Sequence, residues 1–231
     1  TWGSLANAGT VNGAIAQNAC STAPATIPMP SFVYASGNYD PATLREYGTP
    51  STPSSSAVND FHNYVATNGN RISGTFYINQ AGPVGQHTRL DLTNVVIAGD
   101  TTIVTNTPIF TNGTTDAPSV DDAIVLLAST YQPPTGTSCD VNQDRSECSA
   151  HVKNNFAVCD PESDDPGTAV LIYTPYGPTA VKNNAVQCGA IYSDSIQIKN
   201  NQTLEYDARV ERIVGFGPAT LEVTRWLELN P

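Results

Sequence analysis

The pattern of apolar and polar positions changes at about Ser73. Beyond this point, short runs rich in Val, Ile, Thr and Tyr are bounded by Gly, Asn, Asp or Pro, which is the pattern of short β-strands separated by turns. These runs occupy residues 74–78, 89–99, 101–110, 122–130, 169–175, 178–194, 195–201, 203–207 and 220–229. Strands are therefore predicted to dominate the fold.

Two short helices are predicted ahead of these strands. Proline residues crowd residues 24–53, which argues against long helices or central strands there. One helix is expected at residues 41–47, with Asp40 as its N-cap. The other is expected at residues 56–67, where apolar residues recur at three- and four-residue steps and Gly69 follows as a stop. We expect this second helix to cap the core.

The spacing of the later strands favours a parallel β-solenoid, because they are separated by only a few residues, often Asn or Gly. In a solenoid, each coil adds short parallel strands, and Asn at a corner can adopt left-handed geometry while stacking on the next coil. Such corners are predicted at Asn183, Asn184, Asn200 and Asn201. Periodicity alone does not decide how strands pair, so a β-sandwich with short hairpins is the alternative.

Two parts of the chain are distinguished by this pattern. Residues 1–72 are predicted to be a loop-rich segment with short helices that cap the core, and residues 73–231 a β-solenoid head. A polar, cysteine-bearing stretch at residues 131–167 is expected to be an insertion between strands of the head.

Charged residues are scarce, and most of them are acidic. They make up 13% of the chain, about half the usual share, so long amphipathic helices are not expected. The net charge of −11 repels DNA phosphates and anionic lipids unless basic residues cluster locally. A nucleic-acid contact is therefore expected only at a patch such as Arg209, Arg212 and Arg225, where the alternative is a final strand that covers the core with Trp226.

Four of the five cysteines lie in one stretch dense with loop residues, which indicates an oxidising compartment. No Cys-x-x-Cys pair and no zinc-type Cys/His spacing is present, so disulfides are favoured over a metal. We expect Cys139 to pair with Cys148, closing a short polar loop, and Cys159 with Cys188. Cys20 is then left over.

No run of about 18 apolar residues is present, so the sequence contains no segment expected to span a membrane. The sequence also begins at Thr1 without a signal peptide. An upstream segment is therefore expected to be missing, and membrane contact is expected only through it.

Residues 189–207 resemble an element of PilX-type minor pilins and large-headed pilin-like proteins of type IV pili. In those proteins a Gly-x-Ile-Tyr step, an Ile-x-Ile strand, an Asn corner and a closing Tyr-Asp follow one another. Residues 90–92 and 99–109 are similar to the repeated Gly-Asp coils of such heads. The resemblance implies an extracellular head carried on a filament by an N-terminal hydrophobic helix, with other pilin subunits as partners. The prepilin cleavage motif and that helix are absent from this sequence.

The sharpest local motif is formed by Asp140, Asn142 and Asp144, which place oxygen ligands at alternate positions as an EF-hand-like calcium loop does. Arg145 stands where such a loop has its turn glycine, and His151 stands where it has a bidentate glutamate. The alternatives are thus a calcium site and a disulfide-closed acidic loop without metal. No other cofactor is expected.

Nucleophilic catalysis is not indicated. The histidines are His62, His87 and His151, and no G-x-S-x-G motif is present. His62 and His87 are expected at the surface. A solenoid glycosidase or lyase needs carboxylates in one groove, for which the available set is Asp91, Asp100, Asp194 and Asp207. Their expected role is to bond the backbone at coil corners.

Two classes of function remain. The first is a filament head that acts in assembly, adhesion or the capture of DNA or a surface polymer, and is not an enzyme. The second is a secreted solenoid protein that binds or degrades polysaccharide, which only the architecture supports. Tyrosines near the later coils either form an outward platform for a ligand or pack within the solenoid. They are Tyr173, Tyr176, Tyr192 and Tyr206.

Overall fold

The computed structural model describes residues 42–116, 122–143, 147–153, 167–183, 186–200 and 203–213. Strands hold 45% of these residues and helices 13%, which confirms the prediction of a mainly β fold. One α-helix, α1, spans Ala57–Thr67, and 3₁₀ turns lie at Gln86–Thr88 and Ala208–Arg212. The strands are β1 Leu44–Tyr47, β2 Arg71–Ile78, β3 Leu90–Asp91, β4 Val96–Thr105, β5 Ile109–Asn112, β6 Thr115–Asp116, β7 Ile124–Ser129, β8 Ala150–Lys153, β9 Ala169–Thr174, β10 Thr179–Lys182, β11 Val186–Ser193, β12 Ile196–Lys199 and β13 Thr203–Tyr206.

The strands form two sheets in which every described pair is parallel. The first sheet has the order β1-β2-β4-β7-β9-β11-β13, with β6 beside β4. The second has the order β12-β10-β8-β5-β3. Apart from β6, the chain from β2 onward visits the two sheets in alternation. Parallel pairing excludes the alternative of a sandwich built from antiparallel hairpins.

Both sheets contribute to one apolar core. Val125 and Val170 reach it from the first sheet, and Val152 and Val181 reach it from the second. The opposite face of the first sheet is also buried, where Leu171 packs in a second cluster with Val210 of the 3₁₀ turn. Burial on both faces explains why β7 and β9 read as continuous apolar runs rather than as alternating ones.

Helix α1 lies where it was predicted and covers one end of the core. Phe61 is fully buried and meets Phe76 of β2 edge to face, with ring centroids 5.3 Å apart. On the same helix, Nε2 of His62 accepts the backbone N–H of Asp91, at 3.0 Å. Asp91 belongs to β3, the outermost strand of the second sheet, so the helix caps a strand edge that would otherwise stay open.

Two of the predicted corners have the expected geometry. Asn183 and Asn200 have left-handed φ angles of 62° and 68°. The side-chain amide of Asn200 donates to Oδ1 of Asn183, 17 residues earlier. Asn tolerates this conformation better than other residues with side chains, because its short polar group bonds locally. Asn184 and Asn201 lie outside the described residues.

Strands β1, β8 and β2 lie where the sequence pattern predicted a helix, an insertion and a boundary. The helix expected at residues 41–47 is wrong, because Leu44–Tyr47 is strand β1, paired with β2. The stretch 131–167 is not wholly an insertion, because β8 lies within it and pairs with β5 and β10. The predicted boundary at residue 72 falls inside β2. In each case pairing between distant segments outweighs the local sequence pattern. The strand expected at residues 220–229 lies outside the described residues.

Candidate functional site

The predicted disulfide of Cys139 with Cys148 and the predicted calcium motif lie on the outer face of the second sheet. We call this the loop-bearing face, because the loop that contains Cys139 and Cys148 lies on it. Cys139 and Cys148 form a disulfide, as predicted, with a Cα–Cα distance of 4.7 Å. Both pack with Val141 against Ala180 of β10.

The neighbouring strand β12 holds the same loop through its backbone. Nε2 of Gln197 donates to the carbonyl oxygen of Cys139 at 2.8 Å, and its Oε1 accepts the N–H of Val141 at 3.2 Å. One amide side chain therefore satisfies two backbone groups of the loop. The disulfide and this clamp together fix the loop on the sheet.

A row of lysines runs beside the loop. Lys153, Lys182 and Lys199 are in register on β8, β10 and β12, and they are all the lysines of the chain. Neighbouring strands lie about 4.8 Å apart, so the three side chains leave the same face in close succession. Lys182 is buried and Lys199 is exposed. This lysine row concentrates positive charge in a chain whose net charge is −11.

Sequence reasoning missed the lysine row, although a signal was present. The tripeptide Lys-Asn-Asn occurs at residues 153–155, 182–184 and 199–201. The corners at Asn183 and Asn200 were predicted from the asparagines, without the lysine that precedes each of them. The spacing hides the repeat, because the first two copies are separated by a longer stretch of chain than the last two.

The described part of the predicted calcium motif, Asp140 and Asn142, lies within this loop, directly after Cys139. The carboxylate of Asp140 accepts the backbone N–H and the side-chain amide of Asn142 at 2.9 and 2.8 Å, and the amide of Gln143 at 2.9 Å. The bonds from Asn142, with a smaller contribution from Lys199, hold the pKa of Asp140 below its usual range. Oδ1 of Asn142 accepts a hydrogen bond from Nζ of Lys199.

A cation at this position would therefore compete with an ammonium group and with bonds inside the loop. Asp144 lies outside the described residues, and those that are described contain no cluster of three metal-ligating side chains. Calcium binding stays a prediction. A rise in melting temperature with calcium that is lost in Asp140→Ala would establish it.

The second predicted disulfide is only partly visible. Cys188 on β11 is disulfide-bonded. Cys20 and Cys159 lie outside the described residues. The pairing of Cys159 with Cys188 stays a prediction.

Three of the four carboxylates considered for catalysis are engaged in separate contacts with the backbone. Asp91 accepts the N–H of Thr93 at 3.0 Å, Asp100 accepts the N–H of Ile124 at 2.9 Å, and Asp207 accepts the N–H of Arg209 at 2.9 Å. These contacts are of the backbone-bonding kind that was predicted. Asp194 is exposed at the end of β11. The four lie on different elements: Asp91 on β3, Asp100 on β4, Asp194 after β11 and Asp207 before the second 3₁₀ turn.

The three histidines lie in different surroundings. His62 is partly buried between α1 and β3, which corrects the prediction of a surface position, whereas His87 is exposed as predicted. A pocket of about 190 Å³ beside His62 is smaller than the usual 300–1,000 Å³ of ligand sites. His151 is 3% exposed and packs edge to face on Phe110, with ring centroids 5.7 Å apart.

The predicted basic patch is largely engaged in ion pairs. Arg209 bonds Asp207 at 2.5 Å and Asp122 at 3.0 Å, and Arg212 bonds Asp122 at 3.3 Å. These carboxylates offset the positive charge, and they anchor the 3₁₀ turn to the first sheet. Arg225 lies outside the described residues, so the contact role of the patch stays a prediction.

The tyrosines do not form a single outward platform. Tyr173 is 1% exposed and stacks on Tyr192, with ring centroids 5.2 Å apart. Tyr206 donates from its hydroxyl to Glu211. Tyr176 alone of the four predicted residues is strongly exposed, at 54%. Packing against the first sheet is therefore the main role of this set.

The described residues contain no helix that is both long and apolar enough to cross a bilayer. Comparison with known proteins gives no further guide to the site, because no family model, no curated protein and no solved structure matches this chain.

Proposed function

We propose that this chain is the extracellular head domain of a type IV pilus-like surface filament protein that acts by binding and assembly rather than by catalysis. The observation that carries the proposal is the loop-bearing face, where a disulfide-fixed loop and all three lysines lie on in-register strands. On this rigid face Lys199 is exposed and Lys153 is half-buried. Such an arrangement suits recognition, because binding residues are often displayed by loops on a fixed scaffold.

The fold proposed for this head is a short closed β-solenoid, with α1 as the cap of one end. The alternation of the chain between two parallel sheets supports it, as does the common core between them. The stacked corner residues Asn183 and Asn200 support it further, because each belongs to a successive turn. An experimental structure with the two sheets joined into successive coils would establish the closed solenoid, and two separate sheets would exclude it.

An extracellular location is proposed from the disulfides. Cys139, Cys148 and Cys188 are all bonded. Structural disulfides form and persist in oxidising compartments and are rare in the cytosol of most organisms.

The ligand class that suits the loop-bearing face is an acidic surface polymer or DNA. Lys153 and Lys199, the two accessible lysines of the row, place positive charge on one face, and this favours a partner with repeated negative charges. The rest of the chain is acidic, so binding is expected to depend on this row and to weaken as salt rises.

Filament membership is tested in the organism that makes the protein. We expect an antibody against this chain to detect it among sheared surface filaments, and deletion of the gene to reduce filament number or adhesion. Recovery of the protein from the culture medium alone, with filaments unchanged by the deletion, would contradict the filament role.

Ligand capture is tested with purified protein and a double variant, Lys153→Gln with Lys199→Gln. Retention of an acidic polysaccharide or DNA should fall, and the slope of log affinity against log salt should decrease by about two. The control is Arg71→Gln, an exposed cation on β2. Equal effects of the two variants would reject the lysine row as the contact, and hydrolysis of the polymer would favour the polysaccharide-active alternative.

A further inference from the structure

Three apolar side chains are exposed at the end of the sheets that lies opposite to α1. Ile196 and Ile198 on β12 are 45% and 55% exposed, and Leu204 on β13 is 39% exposed. These two strands are the outermost described strands of their sheets at that end. Each therefore has an edge without a described neighbour.

The strand register shows why these residues are exposed. Ile196 pairs with Thr179, Ile198 with Val181 and Leu204 with Gln187, and all three partners are buried. In-register residues of adjacent parallel strands point to the same face of the sheet. Each exposed side chain thus continues a row of in-register side chains that is buried on the preceding strand. It is exposed because no described strand follows it.

The sequence repeats the first three residues of β13 at the spacing that separates neighbouring strands. Thr179 pairs with Ile196 and Val186 pairs with Thr203, so in each sheet the last strand lies 17 residues after its neighbour. The stacked Asn183 and Asn200 are separated by the same 17 residues. The same step from residues 203–205, Thr-Leu-Glu, leads to residues 220–222, which are again Thr-Leu-Glu. Leu221 would then take the place of Leu204 one strand further on.

The connection between the two segments is long enough. After β13, the 3₁₀ turn Ala208–Arg212 crosses the first sheet toward β7, where Arg212 meets Asp122. To reach the position next to the free edge of β13, the chain must return from β7 across about four strand spacings, roughly 19 Å. The seven steps from Ile213 to Thr220 reach about 23 Å when extended. Residues 215–218, Gly-Phe-Gly-Pro, have the composition of a chain reversal.

We propose that residues 220–223 form an additional parallel strand of the first sheet, in register with β13, and that this strand covers the open end with Leu221 beside Leu204. The occupant of the exposed edge is thus a segment of the same chain.

Hydrogen exchange followed by mass spectrometry tests the proposal on the monomeric protein. Amides of residues 203–206 and 220–223 are both expected to be protected in the native chain. Leu221→Asp should remove protection from both segments and increase binding of a dye for exposed apolar surface, while β2 and β4 stay protected. Thr224→Asp adds the same charge at a position expected on the opposite face, and it should leave both segments protected.

An engineered cross-link tests the register without relying on a destabilised variant. The pair Glu205→Cys with Glu222→Cys should form a disulfide within a monomer, whereas Glu205→Cys with Thr224→Cys should form little. Unprotected amides at residues 220–223 in the native monomer would overturn the proposal. Preferential linkage of the offset pair, or protection that appears only in a dimer, would overturn it as well.

Discussion

Gly189 lies where two adjacent strands of the first sheet approach closely. Its φ is +137°, and a Cβ added there would lie 2.0 Å from the carbonyl oxygen of Val170 and 2.8 Å from its nitrogen. Neither backbone atom can move without disturbing the pairing of β9 with β11. We predict that Gly189→Ala lowers the free energy of unfolding by about 3 kcal/mol or more, measured by urea denaturation.

Gly136 provides the matched control for this variant. Its φ is also positive, +87°, but no atom lies within 4 Å of an added Cβ. Gly136→Ala should therefore cost only the backbone strain, about 1 kcal/mol. Equal losses in the two variants would show that strain, and not the close approach to Val170, determines the effect.

His62 makes the cap of β3 sensitive to pH. Burial lowers the pKa of His62, with a smaller opposing effect from Asp91, so the folded protein favours the neutral ring that can accept the N–H of Asp91. The pKa of histidine in the unfolded chain is about 6.5, and the pKa of His62 in the folded protein is lower. His62 therefore contributes its full stabilisation above about pH 6.5, and this contribution is lost as the pH falls toward the pKa of the folded state. We predict a loss of less than about 1 kcal/mol between about pH 7 and pH 5, because the ring keeps some exposure.

The comparison of His62→Gln with His87→Gln isolates this effect. Glutamine does not titrate, so His62→Gln should flatten the dependence of unfolding free energy on pH in that range. His87 is exposed, and His87→Gln serves as the control for the replacement of a histidine by glutamine. An unaltered pH profile in His62→Gln would exclude the proposed role of this histidine.

At the scale of elements, the loop between β7 and β8 depends on two attachments. The disulfide closes a sequence separation of 9 residues, and Gln197 bonds the loop to β12. We predict that Cys139→Ser with Cys148→Ser lowers the free energy of unfolding by about 2–3 kcal/mol. The loop should also become a site of limited proteolysis, because its polar residues cannot hold it by themselves.

Gln197→Ala separates the two attachments. It should keep the disulfide but speed proteolysis of the loop, since two backbone bonds are lost. Gln132→Ala, an exposed residue of the same loop region, serves as its control. Equal proteolysis of both variants and the native chain would mean that the disulfide alone fixes the loop.

Helix α1 and strand β1 show which elements the sequence can predict. The apolar spacing of α1 is local, and four residues on one face, including Phe61 and Val65, are buried as that spacing requires. Residues 44–47 have no such pattern and become a strand only because they pair with β2. The same applies to β8, whose four residues are held between β5 and β10.

At the scale of the whole molecule, the common core predicts cooperative unfolding. Phe61 contacts Tyr47 and Phe76 and belongs to the cluster that includes Val152 and Val181 of the second sheet. Phe61→Ala should lower the free energy of unfolding by about 3–5 kcal/mol. Circular dichroism and tyrosine fluorescence should still report one shared transition.

Tyr176→Ala is the control for this prediction, because Tyr176 is 54% exposed and its loss should cost less than about 0.5 kcal/mol. Two separate transitions in Phe61→Ala would contradict the single core, since they would mean that the two sheets unfold independently.

The sequence by itself determined the features that depend on neighbouring residues. The mainly β content, the cap helix, the left-handed corners at Asn183 and Asn200 and the bond between Cys139 and Cys148 follow from spacing, turn chemistry and composition. The spacing of the later strands favoured parallel pairing, and the tertiary structure decided between it and the antiparallel alternative. Strands β1 and β8 and the alignment of the three lysines were decided by the tertiary structure. Local patterns report which side chains are buried, whereas strand pairing depends on contacts between residues far apart in the chain, which these patterns do not specify.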